Sequence, residues 1–440
     1  MTNNSSYINN IFLIFLTIHL ILWTIVPSLT NNNLPLDVIE ALAWGNNLDW
    51  GFSKHPPGSA FFPEIFFQIF GSQDWAYYLL SQIFIIISFY YVFKFSKEIF
   101  NSNLLSLISV LLLESIYFYN FTSPEFNVNV CQLPFWSLTV YFSWNIYNRK
   151  NINFYDCFLL GLFAAFGFLS KYLFVYLLVS IDLLFMYVIF IKKDKKFDFK
   201  YLIIIEVFLI ALVPHLIWLN KNEFITITYG LARTGLEQSN LIDHIKFPVI
   251  FLTKQIGLLV PFLILVYLLV KKVKYNFNIK DKKLLFLFVI NLLPIILMFL
   301  TSVVTGSKIR TMWMTPFYLF FGTLFVYLFQ AQINIKKLKP FVVGFIFLFF
   351  LSPILYTYVS ISKDDKRTDY PGKEIALKTQ YAWDQQFTTE INVVYGNEWN
   401  AGNLSYHLKS RPIWKGLVER KKLDQLKDYM CLDNVCVGSK

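Results

Sequence analysis

Apolar residues fall in long blocks along this chain, separated by short polar stretches. About eleven blocks are long enough, or nearly so, to cross a hydrocarbon layer roughly 30 Å thick. They lie near residues 11–29, 77–93, 103–121, 129–147, 156–170, 172–191, 201–219, 248–270, 284–304, 311–330 and 339–361. Because backbone amides in lipid must be satisfied within their own segment, each block is predicted to be an α-helix. The pattern therefore predicts an all-α polytopic membrane protein of about eleven transmembrane helices.

The composition agrees with this class. Hydrophobic residues make up 56% and charged residues 15% of the 440 positions, whereas a soluble domain carries about a quarter charged residues. The first block lacks a basic leader and a small-residue cleavage site, so we predict a retained span.

Basic residues are unequally divided between the predicted connections, with about eighteen on one side and about seven on the other. Two lysine-rich connections on the first side hold Lys271, Lys272, Lys274, Lys280, Lys282 and Lys283, and Lys336, Lys337 and Lys339. The bias predicts a multi-pass protein of the inner (plasma) membrane with a cytoplasmic N-terminus. It also accounts for much of the net charge of +11, so no nucleic-acid partner is needed.

Three long segments then face the outside, at residues 30–76, 220–247 and 362–440. The last marks a change to polar composition. We therefore predict a transmembrane catalytic domain at 1–361, with its first outer loop at 30–76, and an extracytoplasmic (periplasmic) domain at 362–440.

The predicted C-terminal domain has the pattern of a small α/β unit. We expect a strand at Ile391–Tyr395 and helices at Asn397–Lys409 and Leu417–Tyr429. Cys431 and Cys436 lie in a compartment where disulfides persist, so a disulfide is expected. A metal site is the alternative, although no neighbouring Cys or His pair completes a zinc set.

The first outer loop carries the strongest candidate chemistry. From Pro35 onward it is predicted to form an amphipathic surface helix, with Asp37, Glu40 and Trp44 on one face. The other face holds Leu36, Ile39 and Ala43. Asp37 lies in the first turn, where the helix dipole favours the ionised carboxylate, which can accept a proton from an attacking hydroxyl. The alternative is that Asp37 only starts the helix and that Glu40 is solvated.

Other polar residues at the predicted outer surface point to an anionic partner. Lys171, Lys308 and Arg310 lie outside, at membrane level, against the general charge bias. Lipid phosphate is the obvious partner for such a set together with Lys54 and Arg233. For any single lysine, snorkelling to lipid head groups is the alternative. Asn127 and Asn129 begin a predicted transmembrane helix, where amides are costly unless they bind something.

Several motifs in order along the chain resemble bacterial glycosyltransferase family 39, which has the GT-C fold. This family is related to the protein O-mannosyltransferases and the lipid A aminoarabinose transferases. The motifs are Asp37…Trp44…Trp50-Gly51…His55-Pro56-Pro57, Pro124-Glu-Phe-Asn127-x-Asn129, Leu169-Ser-Lys-Tyr172, Pro214-His-Leu-Ile-Trp218-Leu-Asn220 and, more weakly, Leu404–Pro412. One departure is Val38, where the family often has a second acidic residue. Glu40 follows Asp37 by three positions instead, which leaves divalent-metal dependence open and no cofactor assigned.

The resemblance implies a transferase that takes a sugar from a polyprenyl-phosphate donor. Asp37 would be the general base on an acceptor hydroxyl, with inversion at the anomeric carbon, and Glu40 would contact substrate. Glu125, Asn127 and Asn129 would line the sugar or acceptor pocket, and His55 would contact substrate or orient its loop. Lys54, Lys171, Lys308 and Arg310 would hold the leaving phosphate. The acceptor would be a lipid, a glycan or a protein, with membrane lipids around the chain.

Other classes stay open at this point. A transporter or lipid flippase would need no catalysis, and its mark would be broken helices paired between two halves. The prolines within the spans show no such pairing. An oligosaccharide polymerase or ligase would share the lipid-linked donor, but it usually has more arginine in its outer loops. A non-catalytic membrane scaffold is a further alternative.

Overall fold

The computed structural model describes residues 2–235, 240–270, 280–334 and 338–440. Residues 2–362 within these ranges are helices and short connections. The helices are α1 Thr2–Thr30, α2 Leu36–Gly45, α3 Gly58–Phe70, α4 Asp74–Phe100, α5 Asn103–Leu111, α6 Val128–Cys131, α7 Leu133–Asn148, α8 Phe154–Ser170, α9 Val175–Met186, α10 Lys200–Lys221, α11 Ile225–Thr234, α12 Asp243–Leu269, α13 Lys282–Thr305, α14 Phe321–Phe329 and α15 Lys339–Ser362. Five of the lysines used to predict orientation lie outside the described residues: Lys271, Lys272, Lys274, Lys336 and Lys337.

Seven helices of the described chain are long and apolar enough to cross a membrane. An eighth is obtained if Thr311–Tyr318 and Phe321–Gln332, which are bent by 52°, form one span. Two shorter apolar helices cover Asn103–Ser115 and Phe154–Ser170. The predicted polytopic helical membrane protein is confirmed, whereas the number eleven stays a prediction.

The bundle is centred on α4. In its most apolar window 67% of the residues are buried, against 11% for α15, so α4 is a core helix and α15 faces lipid. Aromatic rings fill the space around α4. The side chains of Phe89 and Phe95 on α4 and of Trp144 on α7 are fully buried. A helix that is buried on all sides has no solvent-facing polar side. The weak amphipathicity of α4 therefore follows from its central position.

The C-terminal segment, residues 363–440, combines short helices with one sheet. Its elements are α16 Gly372–Asp384, β1 Val393–Tyr395, α17 Glu398–His407, β2 Ile413–Trp414, α18 Arg420–Leu423, β3 Asp428–Leu432 and β4 Val435–Ser439. The strand order is β2-β1-β4-β3, with β1 parallel to β2 and antiparallel to β4. The predicted strand at Ile391–Tyr395 and helix at Asn397–Lys409 are confirmed.

The predicted helix at Leu417–Tyr429 is wrong beyond the single turn of α18. From Asp428 the chain pairs with β4, and Cys431 lies opposite Cys436. The two cysteines form the expected disulfide. Cross-strand pairing outweighs the helical preference of the charged residues here, because strand formation depends on tertiary partners.

Helix α17 packs closely on α2, and this contact joins the C-terminal segment to the helical bundle. Gly402 permits the approach, because a Cβ at that position would lie 2.9 Å from Ile39 Cγ2 and 3.2 Å from Ile39 O. Polar contacts surround it: Asn33 Nδ2 donates to Asn403 Oδ1 at 2.8 Å, and Arg411 pairs with Glu64 at 2.9 Å. The position of α2 therefore depends on both parts of the chain.

We predict that Gly402→Val lowers the midpoint of thermal unfolding in detergent, since overpacking costs about 1–3 kcal/mol. Gly230→Val is the matched control, because it is also helical and a Cβ there meets nothing within 4 Å. Equal melting temperatures for the two variants would contradict the close α2–α17 contact.

Candidate active site

Helix α2 presents its polar face to a small cleft, called here the α2 cleft. The cleft holds about 250 Å³ of empty space, part of it open to solvent. Its lining residues are Asp37, Glu40, Ala41, Trp44, His55, Ser59, Asn127 and Val128. The predicted helix and its shared polar face are thus confirmed. The helix is not a free surface helix, however, because Ile39 and Ala43 on its other face are buried against Gly402.

Asp37 is the carboxylate at the start of this face. Burial raises the pKa of Asp37, and the nearby cations Lys171, Lys54 and Arg233 oppose that shift. The sequence argument, which favoured the ionised form in the first turn, did not anticipate this burial. The backbone N–H of Asp37 donates to Glu125 Oε1 at 3.2 Å, which brings the loop before α6 against the first turn of α2.

Glu125 is half-buried beside Asp37. Burial raises its pKa to about 8, and the negative charge of Asp37 adds to the shift. Repulsion between neighbouring carboxylates favours the protonated form of one of them. With a pKa of about 8, Glu125 holds its proton at neutral pH.

Lys54 lies between two carboxylates. Its Nζ donates to Glu40 Oε1 at 2.8 Å and also to Glu398 Oε2. Glu398 Oε1 in turn accepts from Trp44 Nε1 at 3.3 Å. Burial alone would lower the pKa of Lys54, but the hydrogen bonds to Glu398 and Glu40 raise it. The Lys54 ammonium is thus charged, and two carboxylates already balance its charge. A phosphate ligand was expected to be a cation without such partners.

Lys171 has a different environment. It occupies the predicted break between α8 and the next span, with an extended backbone, and its side chain is buried. Its Nζ donates to Asn129 Oδ1 and lies 5.5 Å from the centre of the Trp313 ring. Burial lowers the pKa of Lys171 to about 7, although Asp37 opposes the shift. Within the described ranges Lys171 forms no salt bridge.

The side-chain amides of Asn127 and Asn129 make different contacts. Asn127 caps α6, since its Oδ1 accepts from the backbone N–H groups of Asn129 and Val130 at 2.8 and 3.2 Å. Asn127 also lines the α2 cleft. Asn129 is buried and binds Lys171, so it is satisfied within the protein.

Six of the predicted site residues do not line the α2 cleft: Lys54, Glu125, Asn129, Lys171, Lys308 and Arg310. Lys308 is exposed, and its backbone N–H donates to Thr234 O at 3.0 Å, which holds this loop against the end of α11. Burial lowers the pKa of Arg310, and the charge of Arg233 adds to this effect. The positive charge of Arg233 also lowers the pKa of Asp37. Arg233 therefore interacts electrostatically both with Arg310 in this loop and with Asp37 in the cleft.

His55 lies in the cleft as a neutral base. Burial lowers its pKa to about 3, with further lowering by Lys171, Lys54 and Arg233. Its ring meets the Trp44 ring edge to face at 6.0 Å between centroids. The carbonyl oxygen of His55 accepts from the Phe52 N–H at 3.0 Å, which closes the turn before Pro56. His55 therefore both lines the cleft and shapes its loop.

Sequence reasoning missed Glu398, which the C-terminal segment supplies to the site. Its position in the first turn of α17, after the Asn397 cap, is that of an ordinary helix-start carboxylate. No local signal connects it to a lysine in the first loop. For metals, no group of three His, Cys, Asp or Glu residues in the described part of the chain could hold an ion.

The architecture is that of a polytopic helical membrane protein with the GT-C fold. The chain is similar in structure to ArnT from Cupriavidus metallidurans, solved bound to undecaprenyl phosphate and in the apo state. Each comparison has a TM-score of 0.66 at 10% sequence identity and covers 94% of this chain and 86% of that one.

The sequence comparison adds a family-model match over part of the chain. Residues 54–218 match the family model of dolichyl-phosphate-mannose-protein mannosyltransferases. This segment includes Lys54, His55, Glu125, Asn129 and Lys171. No curated protein sequence matches the chain. The predicted resemblance to this group of glycosyltransferases, and the GT-C fold that it implied, are confirmed.

We predict that the stability of the protein falls as the pH rises through about 8, in part because of Glu125. The unfolded carboxyl loses its proton near 4.5, whereas the folded one keeps it up to about 8. The contribution is therefore fully present below about pH 4.5 and is lost above about pH 8. Glu125→Gln removes this proton and should flatten the fall in melting temperature between about pH 5 and about pH 9.

The control is Glu419→Gln, at an exposed carboxylate of the C-terminal segment, which should keep the wild-type pH dependence. Wild-type pH dependence in Glu125→Gln would show that Glu125 is ionised in the folded protein.

Proposed function

We propose that this protein is an integral-membrane glycosyltransferase that moves a sugar from a polyprenyl-phosphate donor to an acceptor hydroxyl. The observation that carries the proposal is the electrostatic interaction between Asp37, a carboxyl group that lines the α2 cleft, and Lys171, a buried lysine without a salt bridge in the described chain. The first group can accept a proton, and the second can receive an anionic leaving group. The family match and the fold support the same reaction class.

Asp37 is the general base in this mechanism. Its carboxylate takes the proton of the acceptor hydroxyl as the hydroxyl oxygen bonds to the anomeric carbon. The bond from that carbon to the phosphate oxygen breaks, and its electron pair leaves on the phosphate. A single displacement of this kind inverts the anomeric centre. Because burial raises the pKa of Asp37, its ionised form is a stronger base than an exposed aspartate.

Lys171 is the main ligand of the leaving phosphate, and Arg233 is the second. Charge builds on the phosphate as the bond breaks, which favours the protonated form of Lys171, and a buried cation stabilises that charge more than it would in water. Lys308 and Arg310 add positive potential from the neighbouring loop. Lys54 keeps Glu40 in place instead, because two carboxylates already compensate its charge.

The sugar lies in the α2 cleft against Glu40, His55 and Asn127, with Glu125 and Asn129 behind them. Lipid, glycan and protein hydroxyls are all compatible with the open side of this cleft. By the charge bias of the connections, the cleft and the C-terminal segment face the periplasmic side of the plasma membrane.

Asp37→Asn should abolish release of undecaprenyl phosphate while the variant still binds this lipid. Loss of a general base lowers the rate by a factor of about 10²–10⁴. The assay uses purified protein in detergent, a mixture of undecaprenyl-phosphate sugars and a membrane extract as acceptor source. Asp49→Asn, at an exposed aspartate in the same loop, is the control and should turn over normally.

Wild-type turnover by Asp37→Asn would show that another group is the base. A wild type that binds the lipid without releasing product would favour a transporter or flippase.

Lys171→Met should raise the dissociation constant for undecaprenyl phosphate about tenfold or more, since a charge-assisted hydrogen bond of roughly 1.5–3 kcal/mol is lost. Lys246→Met, at an exposed lysine at the start of α12, should leave binding unchanged. Equal binding by the two variants would place the phosphate elsewhere.

A further inference from the structure

Glu398 connects the C-terminal segment to the two side chains that border the α2 cleft on its Trp44 side. Lys54 Nζ donates to Glu398 Oε2, and Trp44 Nε1 donates to Glu398 Oε1 at 3.3 Å. Lys54 also lies 5.9 Å from the centre of the Trp44 ring. One carboxylate therefore holds two residues of the first loop at the same time.

The packing of the backbone places Glu398 against Lys54, so this ion pair is not an exposed surface pair. Helix α17 is pressed on α2 at Gly402, one turn after Glu398. Arg411, just beyond α17, donates to Leu42 O at 3.0 Å and to Glu64 at 2.9 Å. The side chains of Lys54 and Glu398 keep only 23% and 16% of their surface exposed. An ion pair with such restricted partners has more geometric effect than an exposed one.

The result is a chain of three charges, Glu40–Lys54–Glu398, with Glu40 lining the cleft. Without Glu398 the ammonium would have one anchor instead of two, and the Trp44 indole N–H would lose its acceptor. Glu40 and Trp44 would then be free to move, although neither touches the proposed phosphate ligand Lys171.

We propose that Glu398 is a positioning residue of the transferase: it holds Lys54 against Glu40 and fixes Trp44, and so shapes the sugar and acceptor side of the cleft. This inference rests on the proposed function. It means that the C-terminal segment completes the catalytic site. It also means that Glu398 acts on the rate of transfer and not on donor phosphate binding.

A double-mutant cycle tests the proposal. Glu398→Ala, Lys54→Ala and the double variant are compared with wild type for the rate of undecaprenyl phosphate release. We expect about a tenfold loss in each single variant, no further loss in the double variant, and an unchanged dissociation constant for undecaprenyl phosphate. Glu398→Gln, which keeps one acceptor oxygen for either Trp44 or Lys54, should recover part of the rate. Glu419→Ala, which removes the exposed pair with Lys422, is the control.

A second readout does not depend on activity. Labelling by an amine-reactive ester, followed by mass spectrometry, measures how accessible Lys54 is. The rate at Lys54 should rise several-fold in Glu398→Ala, while that at Lys246 in the same sample stays constant.

Each possible result either supports or overturns the positioning role of Glu398. Unchanged labelling of Lys54 or unchanged turnover in Glu398→Ala would overturn the proposal. The proposal would also be overturned if the losses in rate of the two single variants multiplied in the double variant. A changed dissociation constant for undecaprenyl phosphate would overturn it as well. A wild type that releases no product overturns the proposed function instead, and labelling then shows whether Glu398 still positions Lys54.

Discussion

The packing of α2 between the helical bundle and α17 is the contact on which the site depends. Helix α2 has only ten residues, too few to be stable alone in water. It is held in place because Ile39 and Ala43 are buried against Gly402 and because Arg411 donates a hydrogen bond to the Leu42 carbonyl oxygen. With those contacts in place, its remaining face can carry Asp37 and Glu40 into a cleft at a fixed angle.

Charge balance then distinguishes two sides of the site around the cleft. Lys54 is matched with two carboxylates, whereas Lys171 is buried against an amide and an indole. A buried cation without an anion is costly in the free protein. The arrangement is reasonable if an anionic group enters there, because the cost is then recovered when the ligand binds. Asp37 lies within the electrostatic reach of both lysines and so at the border between the two sides.

Much of this could be predicted from the sequence, where the signal is local. Hydrophobic block length predicted the helices, and the helical period predicted the shared face of Asp37 and Glu40. Two cysteines in a predicted extracytoplasmic segment without further zinc ligands predicted the disulfide. Partners distant in the chain could not be predicted. Glu398 and Lys54 are far apart in sequence, as are Glu114 and His19, which pair at 2.5 Å inside the bundle. The strand at Asp428–Leu432 was missed for the same reason, since it forms only by pairing with β4.

The most direct test of the account is a cryo-electron microscopy structure of the protein with bound undecaprenyl phosphate. The account predicts phosphate density within hydrogen-bonding distance of Lys171 Nζ, with Arg233 turned towards it and the Lys54–Glu398 contact intact. Phosphate density bound by Lys54 in place of Glu398, or lying away from Lys171, would contradict it.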